Sequence, residues 1–187
     1  MSAVPDPVQA WSFLERSDLV ATASEVQAAI RRIAHDLHGR FAEAYPLVLA
    51  VMGGAVVFAG QLLPRLRFPL DFDYIHATRY GVETKGQREV VWRVAPGDRI
   101  RGREVLVLDD ILDAGETMAA IRDQLLASGA RSFSCAVLVE KAPRLSKPVQ
   151  ADFVGLQVPD RFVFGCGMDA QGYWRNLPEI RAMRRDG

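Results

Sequence analysis

Cysteine is nearly absent from this chain. Its 187 residues include only Cys135 and Cys166, too few for a disulfide framework and with no metal-finger spacing, so a reducing, cytoplasmic setting is expected. An excess of charge is missing as well. Lys+Arg and Asp+Glu are equal at 23 each, which gives no broad electrostatic grip on nucleic acid or on an anionic membrane. The opening residues MSAVPDPVQAW have neither the basic start nor the long apolar run of a signal peptide. There is no internal repeat and no low-complexity tract. No G-x-x-x-x-G-K-[ST] loop occurs, which excludes a Walker-type nucleotide site. His35, His38 and His76 stand in no nucleophilic arrangement.

One kind of residue is missing locally. From Ala44 to Pro64 the chain carries no charge, long enough to raise a transmembrane reading. Gly53-Gly54 divides it into a Val/Leu-rich half and an Ala/Val/Phe/Leu half. A buried strand, a tight turn and a helix packed on the strand explain that division better, so no membrane partner is expected.

What is present alternates between strand and helix patterns. Residues 1–21 read as a variable lead-in, with a short amphipathic stretch near Trp11–Leu14. Thr22 and Glu25 form a capping box, and Val26, Ile30, Ile33, Leu37 and Phe41 follow at helical spacing. A βαβ unit is expected from strand Leu47–Met52, helix Ala55–Leu66 and strand Leu70–Thr78. Residues 79–103 are polar and punctuated by Gly81, Gly86, Gly97 and Gly102, with one strand-like run at Glu89–Val94. They read as a mobile lid hairpin. A second βαβ unit follows: strand Glu104–Leu108, helix Thr117–Ala127 stopped at Ser128-Gly129, strand Ser132–Val139. Further strands are expected at Asp152–Leu156 and Phe162–Phe164. The whole reads as an α/β domain on a largely parallel sheet, with ligands at the carboxyl ends of strands.

At such an end stands VLVLDDILDAGETM, Val105–Met118. Four apolar residues precede three aspartates, and a helix follows. Backbone N–H groups of DAGET at a helix N-terminus favour a phosphate, and Gly115 lets the backbone approach it. Asp109 and Asp110 suit ribose hydroxyls or Mg²⁺. A sugar phosphate carrying a metal answers both halves of the loop. The D-D-x-x-D pattern of prenyl-diphosphate enzymes is a rival. It belongs on a helix, usually in two copies, whereas here a strand-like run precedes one copy.

The segment resembles the phosphoribosyl-diphosphate signature of type I phosphoribosyltransferases, and its surroundings narrow the likeness to the hypoxanthine-guanine phosphoribosyltransferase family. VLVEKAP around Lys141 is similar to that family's purine-recognition strand. DFVGLQVPDRFVFGCGMD with YWRNLPEI is similar to its aromatic, metal and diphosphate segment. VMGGAVVFAGQLL resembles its diphosphate loop and RYG its mobile loop. The resemblance runs in order from about Leu47 to Ile180.

It implies one phosphoribosyltransferase domain over residues 1–187, with a C-terminal hood at 157–187, acting on 5-phosphoribosyl 1-diphosphate and a 6-oxopurine with Mg²⁺ as cofactor. Asp113 would be the acid/base group. Met52, Gly53, Arg79, Tyr80, Asp109, Asp110, Ala114, Gly115, Glu116, Thr117 and Arg175 would bind phosphoribosyl diphosphate. Lys141 would donate to the purine 6-oxo group, Phe162 would stack on the ring, the Val163 backbone would read its edge, and Asp169 would complete the purine set. Asp109, Asp110 and Asp169 would hold the metal. A homo-oligomer, dimer or tetramer, is implied as well. Three positions depart from the family pattern: Met52 replaces a lysine, Arg79 a serine, and Asp109 the longer glutamate. A xanthine-type enzyme and a non-catalytic nucleotide-binding regulator remain alternatives.

Overall fold

The computed structural model describes residues 6–79, 90–142 and 147–184. The chain enters through a helix, Pro7–Glu15 (α1), begun by Pro7 and capped by Asp6, whose Oδ1 accepts from the Val8 N–H at 2.9 Å. Strand Ser17–Ala21 (β1) follows. These residues, expected as a lead-in, are structured because β1 pairs antiparallel with Ile180–Met183 near the chain's other end. Local sequence carries no sign of that distant partner.

Helix Ala23–Phe41 (α2) begins at the expected capping box. Thr22 Oγ1 accepts from the Glu25 N–H at 3.2 Å, and Glu25 Oε2 accepts from the Thr22 N–H at 2.7 Å. Its buried face is the expected stripe, Val26, Ile30, Ile33, Leu37 and Phe41. Each such side chain contributes roughly 1.5–3 kcal/mol of burial.

The charge-free stretch divides as its glycines suggest. Strand Leu47–Val51 (β2) is buried at every position, residues 52–54 turn, and helix Ala55–Leu62 (α3) packs back. Pro64, which has no N–H, shortens α3 relative to expectation, leaving a 3₁₀ turn over Leu63–Arg65. No helix among the described residues is long and apolar enough to cross a membrane. The remaining elements are Asp71–Arg79 (β3), Val90–Val94 (β4), Glu104–Leu112 (β5), Glu116–Ala127 (α4), Ser132–Lys141 (β6), Phe153–Val158 (β7), Val163–Phe164 (β8) and Ile180–Met183 (β9).

The main sheet has the order β4-β3-β2-β5-β6-β7. All neighbours run parallel except β4, which returns antiparallel to β3. From β2 the chain steps outward to β3, and from β5 it steps the opposite way to β6. Strand order therefore reverses between β2 and β5, the point where open α/β sheets leave a crevice at their carboxyl ends. A second, antiparallel sheet of order β1-β9-β8 forms the hood. The expected C-terminal hood thus also recruits residues from the other end of the chain.

Candidate active site

The crevice is lined by the ends of β2, β5 and β6. β5 does not stop at Leu108, as expected, but continues through the acidic residues to Leu112. The ladder to β6 persists to the Leu112–Glu140 pair, while the ladder to β2 ends at Ala50–Leu108. Asp109 and Asp110 are therefore held on a strand that is paired on one side and open on the other. The loop proper is Asp113–Gly115. Gly115 caps α4 at φ +80°, where a side chain would be strained, and α4 starts one residue earlier than expected, at Glu116. No side chain caps this helix from Gly115, and Ala114, Glu116 and Thr117 flank it as the cradle motif requires.

Onto the open side of β5 packs the turn after β2. Met52 donates its N–H to Ile75 O at 2.8 Å, and Gly53 stands in the turn itself. A Cβ on Gly54 would lie 2.0 Å from Asp110 Oδ2, so only glycine admits that carboxylate. Gly167 closes the other side: at φ +106°, its Cβ would fall 2.0 Å from Gly54 O. Here the hood meets the main sheet. The Gly53-Gly54 pair is legible in the sequence as a turn, whereas Gly167 gives no local signal of its partner.

Arg175 braces this junction. Its guanidinium donates to Gly167 O at 2.6 Å and pairs with Asp169 Oδ1 at 2.5 Å. The Gly167 N–H donates back to Arg175 O at 2.8 Å, and Asp169 Oδ2 accepts from the Gly172 N–H at 2.6 Å. Among the described residues no three acidic, His or Cys side chains converge as a metal cluster. Asp109 and Asp110 are together in sequence and space, while Asp169 has both oxygens engaged by its own loop.

The electrostatics follow from burial. Asp110 is only 8% exposed. Burial, then the charge of Asp110, drives the Asp109 carboxyl well above its ordinary range. Burial also raises Asp110, against the downward pull of its hydrogen bonding to Asp109 and of the Arg175 charge. The two form a pair of hard oxygen donors short of positive charge. By contrast, Cys135 and Cys166 are buried thiols, pushed up to about 12 and about 11 by desolvation, and are chemically quiet.

On the other side of β5, Lys141 Nζ donates to Asp113 Oδ2 at 3.0 Å. A residue that sequence reading passed over fixes both. Lys147 has a side chain only 9% exposed, and its ammonium donates to Leu112 O at 3.2 Å, Lys141 O at 2.9 Å and Glu140 Oε1 at 3.1 Å. It ties the end of β5 to the end of β6, one residue before Asp113 and at the backbone of Lys141. In the hood, Val163 is buried in β8, but Phe162 beside it is 52% exposed and presents an aromatic face. Arg79 ends β3, paired with Val90. Tyr80, and with it the tip of the expected lid, lies outside the described residues.

The model of the phosphoribosyl transferase domain matches residues 20–171. The chain belongs to that family. The hypoxanthine-guanine phosphoribosyltransferase of Bacillus subtilis (strain 168) is 28% identical over 166 residues, covering 89% of this chain and 92% of that protein. The enzyme of the same name from Aquifex aeolicus (strain VF5) is 30% identical over 163 residues, covering 87% and 92%. A solved hypoxanthine-guanine phosphoribosyltransferase from Bacillus anthracis superposes with a TM-score of 0.80 at 28% identity, covering 89% of this chain and 98% of that one. The acidic strand, the glycine cradle and the lysine at the end of β6 in this phosphoribosyltransferase all lie inside the matched range. Helix α1 lies ahead of it.

Proposed function

We propose that this phosphoribosyltransferase transfers the 5-phosphoribosyl group of 5-phosphoribosyl 1-diphosphate to N9 of hypoxanthine or guanine, releasing diphosphate and forming IMP or GMP. The observation that carries this reading is the Lys141–Asp113 pair at the carboxyl ends of adjacent strands, beside the Gly115 cradle. A 6-oxopurine has a carbonyl acceptor at C6 and a ring nitrogen at N7 on one edge. Inserted between the two side chains, it gives Lys141 the 6-oxo oxygen and Asp113 a proton to hold at N7. Phe162 stacks on the ring and the Val163 backbone reads the C2 side, with Asp169 on the same loop system.

The sugar phosphate occupies the crevice between β2 and β5. Ala114, Gly115, Glu116 and Thr117 cradle the 5′-phosphate at the N-terminus of α4. Asp109 and Asp110 hold the ribose hydroxyls. Met52, Gly53 and Arg175 lie on the diphosphate side, and Arg79 and Tyr80 are assigned to the diphosphate by resemblance alone. With Met52 where the family carries lysine, the loop offers its backbone rather than a charge, and Arg175 is the nearby guanidinium. The buried Asp110 and partly buried Asp109 carboxylates fit Mg²⁺, which is commonly held by one or two carboxylates together with substrate phosphates. When bound, Mg²⁺ supplies charge neutralisation for the departing diphosphate. The chain itself positions the partners and shields the developing positive charge at ribose C1. Two buried free thiols fit a reducing cytoplasm. Exposed Phe72 and Tyr74 on β3 offer apolar surface for a homo-oligomer, dimer or tetramer.

The test is direct. The protein is incubated with phosphoribosyl diphosphate, Mg²⁺ and, separately, hypoxanthine, guanine and xanthine, and the products are separated by chromatography. IMP and GMP are expected. Xanthosine monophosphate alone would shift the base specificity, and no nucleotide from any base would overturn the reading.

A further inference from the structure

The loop that carries Asp169 and Arg175 is strained. Gln171 and Trp174 stand at φ +52° and +67°, left-handed values that bulky side chains rarely adopt. Such residues persist where their surroundings over-determine them. The surroundings here are not the core. They are helix α1.

Several contacts join the two. Trp11 packs edge-on against Trp174, with ring centroids 5.0 Å apart. The Trp174 indole N–H donates to Ala10 O at 2.6 Å. The Asp6 N–H donates to Tyr173 Oη at 3.0 Å, and that hydroxyl donates to Gln9 Oε1 at 3.3 Å. Phe13 lies against Tyr173 at 6.1 Å. The dependence is mutual. α1 has nine residues and buries none of them, and a helix that short is marginal by itself. Trp174 directly precedes Arg175, whose guanidinium bridges Gly167 O and Asp169.

We infer that α1 is a clamp and Trp11 a positioning residue, holding Trp174 in its left-handed conformation so that Arg175 faces the diphosphate side of the crevice. The assignment of Arg175 to diphosphate rests on the phosphoribosyl-transfer reading; the clamp itself rests on the contacts alone. Helix α1 and Trp174 lie on either side of residues 20–171, the range that the family model matches.

The test compares Trp11→Ala, Trp11→Phe and Trp174→Phe in the full chain. Trp11→Ala is expected to raise KM for phosphoribosyl diphosphate roughly ten- to hundredfold, the scale of an ångström-sized misplacement, while KM for the purine stays near wild type. Trp11→Phe restores most of the loss, and Trp174→Phe, which removes the indole donor, falls between. Hydrogen exchange of the Asp169–Arg175 amides should quicken in Trp11→Ala and stay slow in Trp11→Phe. Unchanged exchange and unchanged KM would overturn the clamp, as would equal losses for both substrates, which mark a general structural defect. If the wild-type protein forms no nucleotide, the phosphoribosyl-transfer reading falls, and the exchange measurement still decides the clamp.

Discussion

Lys141 and Asp113 are ion-paired at 3.0 Å across the ends of two parallel strands, and each is the other's partner in the absence of a base. The lysine side chain is 15% exposed and the aspartate 59%, so the pair opens toward solvent on the aspartate side. In the proposed reading, a purine entering from that side replaces one charge-assisted bond with two.

Asp113→Asn keeps the size of the side chain but cannot take a proton. Turnover is expected to fall by about 10²–10⁴-fold, the span of general acid–base catalysis. Affinity for phosphoribosyl diphosphate, measured by calorimetry, should change far less, since the proposed phosphate cradle lies after Asp113. Near-normal turnover with collapsed sugar-phosphate affinity would move Asp113 into the ribose and metal set.

Lys141→Ala removes the proposed donor to the 6-oxo group. Loss of a hydrogen bond to a charged group is worth ~1.5–3 kcal/mol, so kcat/KM for hypoxanthine should drop roughly tenfold or more. Steady-state kinetics with each substrate varied in turn will show the loss on the base side. A loss on the sugar-phosphate side would mean that the lysine has another partner.

Lys147→Met leaves the Glu140 carboxylate and two carbonyls without their shared donor. Removing one partner of a buried ion pair costs about 3 kcal/mol, the lower end of the usual range because Glu140 keeps some exposure. Urea unfolding will read this as a lower midpoint with an unchanged slope. A variant as stable as wild type would make the three contacts incidental.

The pair of buried Asp110 and partly buried Asp109 gives stability a distinctive pH slope. Both carboxyls are raised when folded, so the folded state binds more protons than the unfolded one. Their contribution is fully present below the ordinary carboxylate value of 3.8 and is lost as pH rises through the raised values. Metal-free protein should therefore lose thermal stability as pH rises above about 4 from this pair. Asp110→Asn should flatten the slope, and Mg²⁺ with phosphoribosyl diphosphate should offset it. Thermal midpoints across pH 4–8 that are identical in wild type and Asp110→Asn would refute the assignment.

Much of the candidate site was legible because its residues are close in sequence. The aspartates, Gly115 and the helix start lie within one short segment, and hydrophobic period separates the strand from the helix around it. α2 and the first βαβ unit were legible for the same reason. Lys147 was not, because a lysine following an apolar strand looks solvated until three partners from two strand ends are seen around it. The role of residues 7–21 was hidden too: α1 buries nothing, and β1 finds its partner more than 150 residues away. The extension of β5 beyond Leu108 depends on a β6 ladder that no window on β5 alone reveals.

The close approach of Gly54, Asp110 and Gly167 also sets a boundary for anyone who would redesign this protein. Phe162, the proposed stacking residue, can be varied without disturbing the fold, because its ring is half open to solvent. At the two glycines there is no vacant volume on either side, since each added methyl would overlap an oxygen by more than an ångström relative to ordinary van der Waals contact. A saturation library scored for folded protein should therefore tolerate many amino acids at Phe162 and return glycine almost alone at positions 54 and 167.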